Sequence, residues 1–151
     1  MRLSRFSDYA LRACLYLGAH EGRLAPISEI ARAHDLSQSN LMKVVNLLVE
    51  GGILRSVRGR NGGVALARPA TGIRIGEIVR LMEGDGRMVD CSACLLRGNC
   101  GLVGALRQAK LAFYASLDAA SLADALRAHP RTLDLLLGAG PDAAAREGAG
   151  A

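Results

Sequence analysis

The chain has 151 residues, half of them hydrophobic, no tryptophan, and a formal net charge of +5. That length suits one domain, or a small domain with an appended element, and Leu, Val, Ile and Ala must fill the core. No run is long and apolar enough to span a membrane. The apolar stretch from Tyr9 to Ala19 is interrupted by Arg12 and follows Asp8, which excludes a secretory leader. A cytoplasmic location is therefore expected, with the four cysteines as thiols or metal ligands rather than structural disulfides.

The charge is unevenly placed. Residues 1–68 hold ten Arg/Lys and five Asp/Glu, whereas residues 69–151 hold nine of each. A basic first half beside a neutral second half points to a nucleic-acid-binding module followed by a different element. An Arg-rich composition without function is the plainer alternative.

In chain order, Leu3, Phe6, Ala10, Ala13, Cys14 and Leu17 recur at helical spacing, so residues 4–20 form an amphipathic helix. A Gly-containing break follows from Glu21 to Pro26. Ser28 is expected to cap a short helix from Glu29 to His34, and Asp35-Leu36 to make a tight turn. Ser37 then caps a second helix through Leu41, Val44, Val45 and Leu48 that stops at Gly51-Gly52. The period changes next. Residues 53–57 and 64–67 read as strands around the turn Arg58-Gly59-Arg60-Asn61-Gly62-Gly63. Two helices, a tight turn and a β-hairpin form the winged helix-turn-helix pattern, so the fold class is mainly α with a β-hairpin wing.

Ile75 to Met82 is a short helix, and the polar stretch from Glu83 to Gly101 carries three cysteines. A long helix is expected from about Leu102 to Leu117. Its stripe of Leu102, Leu106, Ala109, Phe113 and Leu117 suits either a helix–helix interface or ordinary core packing. Ser121 and Asp124 make a capping box for a further helix, and the Ala/Gly-rich tail after Gly138 is expected to be disordered. The expected division is thus 1–68 for the DNA-binding domain, 69–101 for the short helix and cysteine loop, 102–137 for the C-terminal helices, and 138–151 for the tail.

In a helix-turn-helix the exposed residues early in the second helix reach base edges in the major groove. Here these are Ser37, Gln38, Ser39, Asn40 and Lys43. Gln and Asn can bond adenine through two atoms, and Lys can reach guanine. A solvated polar face would look similar, but the wing follows at the right place. Arg55, Arg58, Arg60 and Arg68 lie on it, with Asn61 at the tip and no acid from Ile53 to Arg68. The tip glycines let backbone approach phosphates and let an Arg enter the minor groove.

Cys91, Cys94 and Cys100 are spaced C-x2-C-x5-C in a Gly-flanked loop. Three thiolates can converge on one metal centre, but zinc needs a fourth ligand that the loop does not offer. A redox C-x-x-C motif would need a thioredoxin-like βαβ context, which is absent. An iron–sulfur cluster with a fourth ligand from elsewhere is the best chemical fit. Cys14 lies on the apolar stripe of the first helix and reads as a buried thiol. No cofactor fingerprint or acid/base pair suggests an enzyme.

Together these features resemble the iron–sulfur-dependent winged helix-turn-helix repressors, above all their nitric-oxide-sensing (NsrR-type) branch. The resemblance covers residues 1 to about 137. It is carried by the opening Met1-Arg2-Leu3-Ser4-Arg5-Phe6-Ser7-Asp8-Tyr9-Ala10-Leu11-Arg12, by Val57-Arg58-Gly59-Arg60-Asn61-Gly62-Gly63 and by Ser121-Leu122-Ala123-Asp124. It implies a homodimer joined through the long helix, a palindromic double-stranded operator, and a cluster on Cys91, Cys94 and Cys100. It also implies a fourth ligand at Asp8, supplied by the partner subunit. Asp8 lies about 160° around the helix from Phe6, off the core stripe. Its plainer role is an acid in the first helical turn. No histidine follows Cys100, unlike the cluster-biogenesis branch. Iron-responsive members share the wing but tend to lack an acid at Asp8. A 4Fe–4S cluster is favoured, but relatives usually have a longer gap between the first two cysteines, which leaves 2Fe–2S and the identity of all three ligands open. The function expected is a repressor whose operator affinity follows a cluster that senses nitric oxide. An iron- or cluster-status sensor is the alternative, and an iron–sulfur redox protein or a zinc-stabilised DNA-binding protein is more remote.

Overall fold

Helix α1 (Arg5–Ala19) begins at Ser4, whose hydroxyl accepts the Ser7 amide at 3.2 Å. The computed structural model describes residues 2–84 and 86–140. The proposed disordered tail lies outside these residues from 141 onward, and Gly138 itself ends the last helix. α1 buries Ala10, Ala13, Cys14, Tyr16 and Leu17, the face that its apolar spacing requires.

Helix α2 (Ile27–Ala33) starts two residues earlier than its polar residues suggest. Pro26, not Ser28, is the N-cap, and it accepts the Glu29 amide at 3.0 Å through its carbonyl. Proline has its dihedral already set for helix entry, so Ser28 falls within the first turn. Asp35 makes the turn to the next helix at φ +51°, a conformation Asp tolerates better than most residues. Helix α3 (Gln38–Glu50) is capped by Ser37, and its apolar stripe of Leu41, Val44, Val45 and Leu48 is fully buried against α1 and α2.

The wing is a two-stranded antiparallel hairpin, β1 (Leu54–Val57) and β2 (Gly63–Leu66), with Leu54 opposite Leu66 and Val57 opposite Gly63. Ala25 exchanges two backbone hydrogen bonds with Val64, both 2.9 Å, and so fixes the hairpin to the segment between α1 and α2. Only glycine fits at position 63, since a Cβ there would stand 2.7 Å from the Ala25 carbonyl oxygen. This contact holds the wing beside the helix-turn-helix.

Helix α4 (Ile75–Glu83) follows a 3-10 turn at Ala70–Gly72, and α5 (Leu102–Asp118) follows the cysteine loop. α6 (Leu122–Arg127) opens with the Ser121/Asp124 capping box, and α7 (Pro130–Gly138) ends the described chain. Leu122, Ala123 and Leu126 of α6 and Leu136 of α7 enter the same hydrophobic core as α1, α3 and the wing. The C-terminal helices therefore complete the core of the DNA-binding half.

α5 behaves differently. Its only buried residue is Tyr114, which lies under the Arg80 guanidinium at 4.5 Å, while Arg80 also holds Asp118 at 2.8 Å. The stripe Leu102, Leu106, Ala109, Phe113 and Leu117 is absent from the core of its own chain, and Leu102 is 64% exposed. Leu106, Phe113 and Leu117 are half-buried, so packing within the chain covers the stripe only in part and leaves Leu102 and Ala109 exposed.

Candidate nucleic-acid interface and cysteine loop

The N-terminus of α3 presents Ser37, Gln38 and Ser39 to solvent, with Asn40 half-buried and Lys43 exposed one turn on. Their opposite face is the buried stripe, so packing holds the helix while leaving these polar groups outward. Arg58, Arg60 and Asn61 are exposed at the hairpin tip, where Gly59 turns the chain at φ +112°, a value glycine alone adopts readily. Among the described residues, no ion pair engages Lys43, Arg55, Arg58 or Arg60. These cations can meet phosphate without first breaking a bond.

Arg68 is the exception among the four arginines of the wing. It donates to the carbonyls of Gly72 and Gly52, each at 3.1 Å, and pairs with the Glu77 carboxylate. It therefore bolts the base of the wing to α4 rather than facing a ligand. Burial pushes the Glu77 carboxyl up, but the Arg74 amide and Arg68 outweigh that and hold it below the usual range.

Beneath the helix-turn-helix lies a polar group that periodicity does not reveal. The Tyr16 hydroxyl donates to Glu29 at 2.6 Å, and Arg23 donates to the same carboxylate at 2.5 Å. Tyr16 and Glu29 are both buried, so this group pins α2 to α1. Burial raises the Glu29 carboxyl, yet Arg23 and Tyr16 outweigh it and keep the group ionised below its ordinary value. Burial and the neighbouring Glu29 push the Tyr16 phenol up to about 12. His34, edge-on to the Tyr16 ring, has a buried Nε2 without a hydrogen-bond partner, and burial with the nearby Arg12 charge lowers its pKa.

All four cysteines are free thiols. Cys14 is fully buried in α1, and burial pushes its thiol up to about 12, so it is inert packing. Cys91 and Cys100 line one cleft of about 690 Å3 between the loop and α5. Cys94 is exposed and does not contribute to that wall. Among the described residues, no three His, Cys, Asp or Glu side chains stand grouped to hold a metal ion. The structure thus brings two of the three loop thiols together. The donor set still fits a cluster: the three thiols lie within ten residues, on a loop tied by short turns such as the Arg97 amide to the Cys94 carbonyl at 3.1 Å. Closing it around a metal centre would rearrange exposed loop backbone and leave the core alone.

Asp8 is on α1 with its side chain 47% exposed, but the carboxylate is not free, since it accepts from Arg12 at 2.9 Å. Next to it, Ser7 donates to Glu83 at 2.5 Å and the Ser4 amide donates to the same oxygen at 2.7 Å. Glu83 is the last residue of α4, so the start of the cysteine loop is tied to the start of α1.

This fold and surface define a winged helix-turn-helix transcriptional regulator. A sequence model of the Rrf2 family, described as an iron-dependent transcriptional regulator, matches residues 3–128, and the chain belongs to that family. The family is one of regulators, not enzymes. Among solved structures, IscR of T. potens is 27% identical, with 84% of this chain and 87% of that one covered and a TM-score of 0.69. The oxidised form of CymR from S. aureus is 29% identical over 81% of this chain and 93% of that one, at a TM-score of 0.63. CymR of B. subtilis, a global cysteine regulator, is 24% identical over 85% and 98% at a TM-score of 0.66, a likeness of fold alone. No described helix is long and apolar enough to cross a membrane.

Proposed function

We propose that this chain is a homodimeric, cytoplasmic repressor whose affinity for a palindromic operator is set by an iron–sulfur cluster on Cys91, Cys94 and Cys100. The partner's Asp8 supplies the fourth ligand, and nitric oxide is the signal. The observation that carries the reading is the loop itself. Three free thiols precede, by at most a few turns of chain, a helix whose apolar stripe lies outside the hydrophobic core and is exposed at Leu102 and Ala109. That helix, α5, joins the two subunits.

Each α3 enters a major groove, with Gln38, Ser39, Asn40 and Lys43 at base edges and Ser37 at the helix start toward phosphate. Arg58, Arg60 and Asn61 take the flanking backbone and minor groove. A bound cluster supplies iron that exchanges ligands with nitric oxide. Asp8 is the weakest donor of the set, because such iron prefers thiolate to carboxylate. To serve, Asp8 leaves Arg12; when released, it returns to Arg12 and the link across the dimer is gone. The Glu83 bonds to Ser4 and Ser7 then pass a shift of the loop to α1, against which α3 packs. A 4Fe–4S cluster suits three cysteines and one carboxylate.

Anaerobic purification with iron and acid-labile sulfide analysis tests the cofactor, and zinc without sulfide would overturn it. Operator affinity with and without nitric oxide, for wild type and Asp8→Ala at equal cluster occupancy, tests the clasp. We expect a weaker response in Asp8→Ala, and an equal response in both would return Asp8 to its pairing with Arg12. The iron-dependent description of the family favours a second reading, in which iron or cluster supply is the signal. Operator affinity that follows iron supply and ignores nitric oxide would select it.

A further inference from the structure

The second half of the chain is neutral in sum, yet its charge is sorted. Residues 86–110 contain Arg87, Arg97, Arg107 and Lys110 against the single acid Asp90. All four cations line the cleft that holds Cys91 and Cys100, and among the described residues no carboxylate lines it; Asp90 lines an adjoining cleft with Arg87, Cys91 and Arg97. Asp90 is occupied locally, accepting the Ser92 amide at 2.8 Å. Among the described residues none of the four cations is in an ion pair. Two of them shape the cleft: Lys110 donates from α5 to the Gly86 carbonyl at 2.7 Å, and Arg97 spans the loop to the Ser92 carbonyl at 3.2 Å.

A second feature points the same way. α5 is 17 residues long and starts directly after Cys100 and Gly101, with no side-chain cap and no acid in its first turn. Its positive dipole end therefore opens beside a cleft thiol, with the Val103 amide donating to the Cys100 carbonyl at 3.4 Å. Gathering four like charges at such a site is unfavourable until an anion enters.

We infer that Arg87, Arg97, Arg107 and Lys110, with the open N-terminus of α5, form a cationic cradle that retains the anionic thiolate-ligated cluster and sets its reduction potential. The inference rests on the cluster reading above. Three thiolates and a carboxylate outweigh the positive charge of an iron–sulfur core, so the assembled centre is an anion. Adding one electron makes it more negative, which the cations favour. The cradle thus raises the potential, and its loss lowers it. Because Arg107 and Lys110 stand on α5, the charge of the centre also bears on the helix that carries the partly exposed apolar stripe.

The test compares wild type, the Arg107→Gln/Lys110→Gln double variant, Lys110→Arg, and Arg131→Gln on α7, whose side chain is outside the cleft. Each is reconstituted anaerobically. The midpoint potential is read by spectroelectrochemistry, the electron coming from the electrode, and the half-life of the visible absorbance is read under a chelator. The double variant should show a more negative potential and lose its cluster about fivefold faster at low salt, both differences shrinking at high salt. Lys110→Arg and Arg131→Gln should match wild type, since the first keeps the charge and the second leaves the cleft intact. A double variant with wild-type potential and half-life overturns the cradle alone. A wild-type protein that takes up iron without sulfide overturns the cradle and the cluster together.

Discussion

Replacing Arg58 by Ala removes a cation that is exposed at the wing tip and, among the described residues, held by no ion pair. Its loss should leave the fold unchanged and act only on DNA. In the proposed dimer each complex loses two phosphate contacts, one per wing. Each contact adds about 0.9 to the slope of log affinity against log salt, so the slope should flatten by about 1.8. Over a fourfold rise in salt, wild type should then lose about tenfold more affinity than Arg58→Ala. Fluorescence anisotropy with operator and with random duplex, across a salt titration, reads this directly. The two duplexes should weaken alike, because a phosphate contact carries no sequence information. Arg68→Ala is the matched contrast. It breaks two backbone hydrogen bonds and a half-exposed ion pair, for about 1–2 kcal/mol of folding stability, and should leave the salt slope alone. An unchanged slope in Arg58→Ala, or an equal flattening in Arg68→Ala, would refute the division between wing tip and wing base.

Gln38→Ala or Asn40→Ala should erode the ratio of operator to random-DNA affinity more than it erodes random-DNA binding, by about 1–3 kcal/mol for a lost bidentate base contact. Competition binding checks this, and equal losses on both duplexes would leave these residues a positioning role. Ser at Cys91, Cys94 or Cys100 should abolish or destabilise the cluster absorbance. Ser at the buried Cys14 should keep it while lowering stability by about 1–2 kcal/mol, since a hydroxyl enters an apolar site. His34 links stability to pH. Burial first, then the Arg12 charge, hold its folded pKa below the ordinary 6.5, so the unfolded chain binds the proton more readily. Urea unfolding should therefore show full stability above that value and a decline as pH falls through it, and His34→Gln should remove that part of the decline. A further loss at lower pH is expected as Glu29, held below its ordinary value by Arg23 and Tyr16, takes up a proton.

Local chemistry made most of the helix boundaries legible in the sequence. The Ser37 cap, the Gly51-Gly52 stop, and the Ser121/Asp124 box each act within a few residues, and the structure carries all three. The apolar spacing of α1 and α3 likewise names the faces that are buried, because one helical repeat decides which side chains share a side. Ser28 misled for the same local reason: a polar residue before an apolar run resembles a cap, but Pro26 two residues earlier had already set the dihedral for entry.

Charge was read less well, since a cation's role depends on what the fold brings to it. Arg58 and Arg68 are equivalent in sequence, but Glu77 and two carbonyls reach only the second. Tyr16, Arg23 and Glu29 become one group only when α1 and α2 pack. The sequence alone determined the winged helix-turn-helix and the triad of loop thiols, because periodicity, capping and spacing are short-range. Only the tertiary structure decided that α6 and α7 close the core of the DNA-binding half, that α5 keeps its stripe outside it, and that Cys91 and Cys100 share a cleft with Arg107 and Lys110. Those outcomes depend on contacts between residues far apart in the chain, where packing chooses which face of each helix is covered.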